Sequence, residues 1–166
     1  MIRGIHHVAI STPDLDRLIA FYRDVIGMEL VKVSGWEAGS PEVDAIVGLT
    51  NSSARAAKLR LGNAYLELFE YLTPLGAPQN SNRPVNDHGY THFCLDVTDI
   101  DGEYERLSAA GMTFHCPPPP SAKVGAGAQR STYGRDPDGN VIELQELIDP
   151  EHPLAIFSAD VRLAGT

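Results

Sequence analysis

The chain is 166 residues long and carries 13 basic and 22 acidic side chains, a formal charge of −9, which argues against a surface that grips a phosphate backbone and so against nucleic acid as a partner. At this length a folded chain buries about 70% of its unfolded surface, so one domain, or two small halves sharing a core, needs no covalent staple. No apolar run approaches the ~20 residues of a membrane span, no secretion signal opens the chain, and two cysteines, Cys94 and Cys116, form no disulfide framework, which together predict a cytoplasmic protein with free thiols.

In chain order, GIHHVAISTPDLD (4–16) opens with a strand, on which alternation puts His6 and His7 on opposite faces. Leu15, Leu18, Ile19, Tyr22 and Ile26 recur at helix spacing, and Gly27 stops the helix. Strands are predicted at about 28–34, 55–62 and 64–72, the last two joined as a tight hairpin at Gly62–Asn63, with a long excursion from Trp36 to Ser53 between the first and second. TPLGAPQNSNRPVNDHG (73–89) is rich in turn formers and reads as a linker.

The second half repeats this order. GYTHFCLDVTDID (89–101) aligns without a gap on 4–16, with His92 on His7 at an offset of 85, while His6 falls on Thr91. Gly111-Met112 answers Gly27-Met28 after a helical pattern of Ile100, Tyr104 and Leu107, and NVIELQE (140–146) answers AYLELFE (64–70), with Glu143 on Glu67. Strands are predicted at about 112–116, 128–135 and 140–147, with a second long loop, PPPPSAKVGAGAQ (117–129), and a DPDGN turn before the last strand. The expected fold is therefore α+β: two tandem βαβββ modules, at about 4–72 and 89–147, a linker at 73–88 and a tail at 148–166. The apolar stretch LAIF (154–157) in that tail is expected to pack back on the domain or on a second subunit.

The repeat singles out four residues: His7 and Glu67 from one half, His92 and Glu143 from the other. Taken singly, a Leu-Glu-Leu glutamate is more often solvent-facing and a strand histidine more often structural. Both types at equivalent places in both halves suit one divalent metal ion held by two nitrogens and two oxygens, with positions left for water or substrate.

The motifs IHHVAI, FYRDVIGMEL, YLELFE, GYTHFCLDVTDID and DPDGNVIELQE, covering about residues 4 to 147, resemble the vicinal oxygen chelate superfamily of glyoxalase I, methylmalonyl-CoA epimerase, fosfomycin-modifying transferases and extradiol dioxygenases. The resemblance implies a curved, cup-like mixed sheet around one zinc, nickel, cobalt, iron or manganese ion, with His7 rather than His6 as ligand. His6 then belongs on the helix-packed side or at a subunit contact. With Glu67 as a fourth ligand, the resemblance favours proton transfer through a stabilised enolate, by an isomerase, epimerase or lyase, with Glu67 or Glu143 as base. Two alternatives stay open: an Fe(II) ring-cleaving oxidoreductase, and a non-catalytic protein that binds an antibiotic. Glyoxalase I itself is disfavoured, because Val8-Ala9-Ile10-Ser11 offers no cation for a glutathione carboxylate.

Residues two away from each ligand share its face, so the substrate pocket is expected to be lined by Ala9, Tyr65, Phe69, Cys94, Val141 and Gln145. Cys94 reads there as a small buried residue rather than a nucleophile. A CoA substrate would want a basic entrance, for which Arg55, Lys58, Arg60, Lys123 and Arg130 are candidates, each taken singly more often a solubilising charge, with Arg130 assigned to the pocket. The expected partners are a small-molecule substrate and a second copy in a homodimer, the latter from the apolar tail and the exposed sheet edges.

Overall fold

The computed structural model describes residues 1–120, 129–149 and 151–156. The chain divides into two compact units, Met1–Asn80 and Ser81–Thr166, each built on its own four-stranded sheet. Lys123 and most of the loop 117–129 lie outside the described residues, as does the tail from 157 onward.

In the first unit β1 (His7–Ser11) runs parallel to β4 (Ala64–Thr73), which pairs antiparallel with β3 (Ser53–Leu61) and that in turn with β2 (Glu29–Trp36). Between β1 and β2 lies α1 (Leu15–Ala20), continued by a π-helical turn over Phe21–Ile26. Asp14 caps α1 by accepting the Arg17 N–H at 3.0 Å. Gly27 ends the turn at φ 93°, a left-handed conformation that glycine adopts without strain. Leu15, Leu18 and Tyr22 bury themselves against Leu59, Leu66 and Leu68, which share one face of the sheet.

The second unit repeats the plan with β5 (His92–Asp96), α3 (Ile100–Ala109), β6 (Thr113–Phe114), β7 (Gln129–Arg135) and β8 (Val141–Leu147), in the sheet order β5-β8-β7-β6. Asp99 caps α3 through the Gly102 N–H, Gly111 follows it at φ 94°, and Ile100 and Leu107 pack with Ile142 and Leu144. The α+β fold of two βαβββ modules thus stands as the sequence predicts.

Two details depart from expectation. The excursion from Trp36 to Ser53 contains a helix, α2 (Pro41–Val47), rather than open loop. It is fastened by Asp44, whose carboxylate accepts the Asn51 and Ser52 N–H groups and the Ser52 hydroxyl, while Ser52 Oγ also accepts the indole N–H of Trp36 at 3.0 Å. β6 is only two residues long, because the four prolines from 117 follow closely and have no N–H for a ladder.

One device is repeated on the helix side of both sheets. Arg55 on β3 joins Asp16 of α1 at 2.6 Å and Glu70 of β4 at 2.9 Å. Arg130 on β7 joins Asp101 of α3 at 2.6 Å and reaches Glu146 of β8 at 3.8 Å. Each arginine ties the first turn of its helix to the sheet below.

Candidate active site

The opposite face of each sheet carries the residues singled out by the repeat. In the first unit His7, Ala9 and Ser11 share a face with Tyr65, Glu67 and Phe69, their partners across the β1–β4 ladder. His7 Nε2 lies 3.1 Å from Glu67 Oε2, and its Nδ1 lies 3.0 Å from Nδ1 of His6. The His6 ring stacks on Tyr65 with centroids 5.0 Å apart, so it is not on the helix-packed side. It precedes β1, and strand alternation does not govern its direction.

In the second unit His92 Nε2 lies 3.0 Å from Glu143 Oε2, and its Nδ1 lies 2.9 Å from Thr91 Oγ1. Glu67 and Glu143 side chains are 18% and 14% exposed, low for carboxylates, and each faces the imidazole of its own module. In both modules the residue before the histidine engages Nδ1 and leaves Nε2 turned to the carboxylate. That arrangement fits a divalent ion's donor set, because an engaged outer nitrogen holds an imidazole in a ligating orientation. Among the described residues no three His, Cys, Asp or Glu side chains gather, and each unit holds one such His–Glu pair.

The pocket residues fall on these faces. Ala9 stands beside Glu67, Cys94 beside Glu143, Val141 beside His92, and Gln145 opposite Ser131 on β7. Phe69 joins Trp36 and Tyr71 in an aromatic cluster with centroids 5.8–6.0 Å apart. Cys94 is exposed rather than buried as expected, yet its thiol is pushed up to about 12, first by the part of the residue that is shielded from water and then by the Glu143 charge. It stays protonated and is no nucleophile at neutral pH. Burial and then the Glu143 charge also raise the Tyr133 phenol.

Arg130 does not belong to the pocket. It pairs in register with Glu146, one residue out of phase with Glu143 and Gln145, so alternation turns it to the helix side, where Asp101 holds it. Arg55 is committed there in the same way. Arg60 is on the pocket face but is taken up by Glu29 at the rim. Lys58, expected only near an entrance, stands directly opposite Glu67, with Nζ 3.3 Å from Oε1. Tyr133 holds the corresponding place opposite Glu143, its ring 4.8 Å from that of His92. Counting back equally from the two ends of each hairpin turn would have found both.

Known proteins resemble this chain over most of its length. Residues 4–144 match the profile of the glyoxalase/bleomycin resistance protein/dioxygenase superfamily. A 2-epi-5-epi-valiolone epimerase from an Actinomyces species is 35% identical over 87% of this chain and 79% of its own length. An ethylmalonyl-CoA/methylmalonyl-CoA epimerase from Cereibacter sphaeroides is 28% identical over 89% of this chain and 100% of its own. Among solved structures, a glyoxalase family protein from Bacillus cereus superposes with a TM-score of 0.77 at 25% identity, over 90% of this chain and 97% of that one.

Proposed function

Because the chain belongs to the glyoxalase/bleomycin resistance protein/dioxygenase superfamily, we propose that it is a divalent-metal-dependent epimerase or isomerase acting on a small molecule with two neighbouring oxygens. The observation that carries this is the duplicated His–Glu pair, 3.1 Å apart in one module and 3.0 Å in the other. A divalent ion held by His7, Glu67, His92 and Glu143 would supply Lewis-acid pull on a substrate carbonyl, which acidifies the adjacent C–H bond.

The chain's own residues do the rest. His6 and Thr91 hold the outer nitrogens of His7 and His92, so both imidazoles keep Nε2 turned to the glutamates, where an ion would sit. One of the two glutamates takes the proton from the carbon beside the carbonyl. In an epimerase the replacing proton must arrive on the opposite face of the same carbon, from a donor other than that base, and in an isomerase the proton goes to the neighbouring carbon. Phe69, Trp36 and Tyr71 give the first sheet an apolar wall beside Glu67 that would limit water around that transfer. The names of the two epimerase relatives support proton transfer over ring cleavage. A cytoplasmic homodimer completes the proposal, supported by Val31 and Val33, exposed on the edge strand β2.

Exchange in D₂O tests it. Metal-loaded protein incubated with methylmalonyl-CoA or 2-epi-5-epi-valiolone should place one deuterium on the carbon beside the carbonyl, read by mass spectrometry. Chelation should abolish exchange and Mn²⁺ or Zn²⁺ should restore it. Exchange that survives chelation unchanged, or is absent with both substrates, counts against it.

A further inference from the structure

The pocket face of the first sheet carries charge that the metal proposal does not use. Ala9, Glu67, Lys58 and Lys32 stand in register across β1, β4, β3 and β2. Glu67 matches one lysine, Lys58, at 3.3 Å. Lys32, directly opposite Lys58 on the edge strand, adds a second ammonium and is exposed. Like charges directly opposite on neighbouring strands are destabilising, so a cross-strand Lys–Lys pair is costly unless an anion lies between the two heads. The chain as a whole carries −9, which makes this local surplus of positive charge stand out.

The adjoining row in the same register is Ser11, Phe69, Ala56 and Ser34, small except for Phe69, and the aromatic cluster of Phe69, Trp36 and Tyr71 stands beyond it. The other cations considered that lie among the described residues do not compete: Arg55 and Arg130 are tied down on the helix sides, and Arg60 is taken by Glu29.

We propose that Lys58 and Lys32 bind an oxyanion, a carboxylate or a phosphate, that the substrate carries a few atoms from its vicinal oxygens. This rests on the proposed active site and narrows its substrate class to anionic molecules. An ammonium is a compact point charge on a flexible stem, suited to holding such a group without fixing its rotation. A purely structural role for Lys58 as a cross-strand partner of Glu67 leaves Lys32 without a reason to face it.

The single tryptophan of the chain, Trp36, lies on the same face and reports binding by its fluorescence. The probes are two matched pairs: dihydroxyacetone phosphate against dihydroxyacetone, and 2-oxoglutarate against pyruvate, each titrated into protein with and without Mn²⁺. In at least one pair the member with the extra anionic group should bind at least tenfold more tightly. Which pair shows it separates phosphate from carboxylate. Lys32→Met should remove most of that preference while leaving the smaller member's affinity within about twofold; Lys58→Met should remove the preference as well, and Lys58→Arg should keep it. Equal binding within both pairs, no binding of either charged probe at millimolar concentration, or an equal loss for both members in Lys32→Met overturns the inference. A charge preference that persists without Mn²⁺, with no gain on adding it, leaves the lysine site standing and counts instead against the metal-dependent function.

Discussion

At the scale of single residues, the two glutamates are equivalent by repeat but not by neighbourhood. Glu67 has an ammonium across the hairpin, whereas Glu143 has the phenol of Tyr133 and the thiol of Cys94. A glutamine keeps a weak oxygen ligand but cannot accept a proton, so Glu→Gln separates binding from proton transfer. The base is expected to be identified by turnover falling about 10²–10⁴-fold in one Gln variant while metal content stays measurable. His92→Ala should instead lower metal content itself, read by elemental analysis of folded protein. Full turnover in both Gln variants would rule out a glutamate base. The histidines and glutamates were legible because they recur at matching places in both halves. Lys58 and Tyr133 were not, because a cross-strand neighbour is far away in sequence and its identity differs between the halves. Arg130 was misassigned for a related reason: it is basic and near the site along the chain, but one residue out of phase with the pocket face.

At the scale of elements, the paired arginine ties make a pH signature. The Asp16 carboxyl is held below the ordinary aspartate value of 3.8 by hydrogen bonding to Arg55, against a smaller opposing effect of burial, with the arginine's charge adding to the lowering. Asp101 is held down in the same way by Arg130. A carboxyl whose folded pKa is depressed stabilises the fold above its unfolded value, and that contribution is lost as pH falls through the folded pKa. The double variant Asp16→Asn, Asp101→Asn should therefore melt below the wild type at pH 7, with the gap narrowing as pH falls below the ordinary aspartate value of 3.8 in thermal unfolding scans. A gap that stays constant across that fall would show that the ties do not depend on the carboxylate charge. Glu146, whose carboxyl burial pushes upward, also feels the Asp101 charge, so Asp16→Asn alone is the control free of that second group. The eight strands and the two capped helices were legible from turns, caps and periodicity. The helix Pro41–Val47 was not, because seven residues between glycines give too few turns for a periodic signal, and what holds it is Asp44 reaching Ser52.

At the scale of the whole molecule, the exposed valines of β2 and the apolar segment ahead of the chain end lead to an expected homodimer of about twice 18.0 kDa, read by light scattering at micromolar concentration. A monomeric mass would remove that part of the proposal and leave the proton-transfer chemistry untouched. The division into halves has a further consequence, for the order in which the protein is made. Every strand pairing among the described residues closes within one half, so the first sheet has all its partners once Thr73 has been synthesised. At about 5–20 residues per second, translating the 18 residues from 74 to 91 takes about one to four seconds. Hairpins form in about 1–10 μs, far faster than that interval. The segment between the sheets therefore acts as a delay as well as a tether, giving the first half time to settle before the strand carrying its near-copy emerges to compete for the same partners.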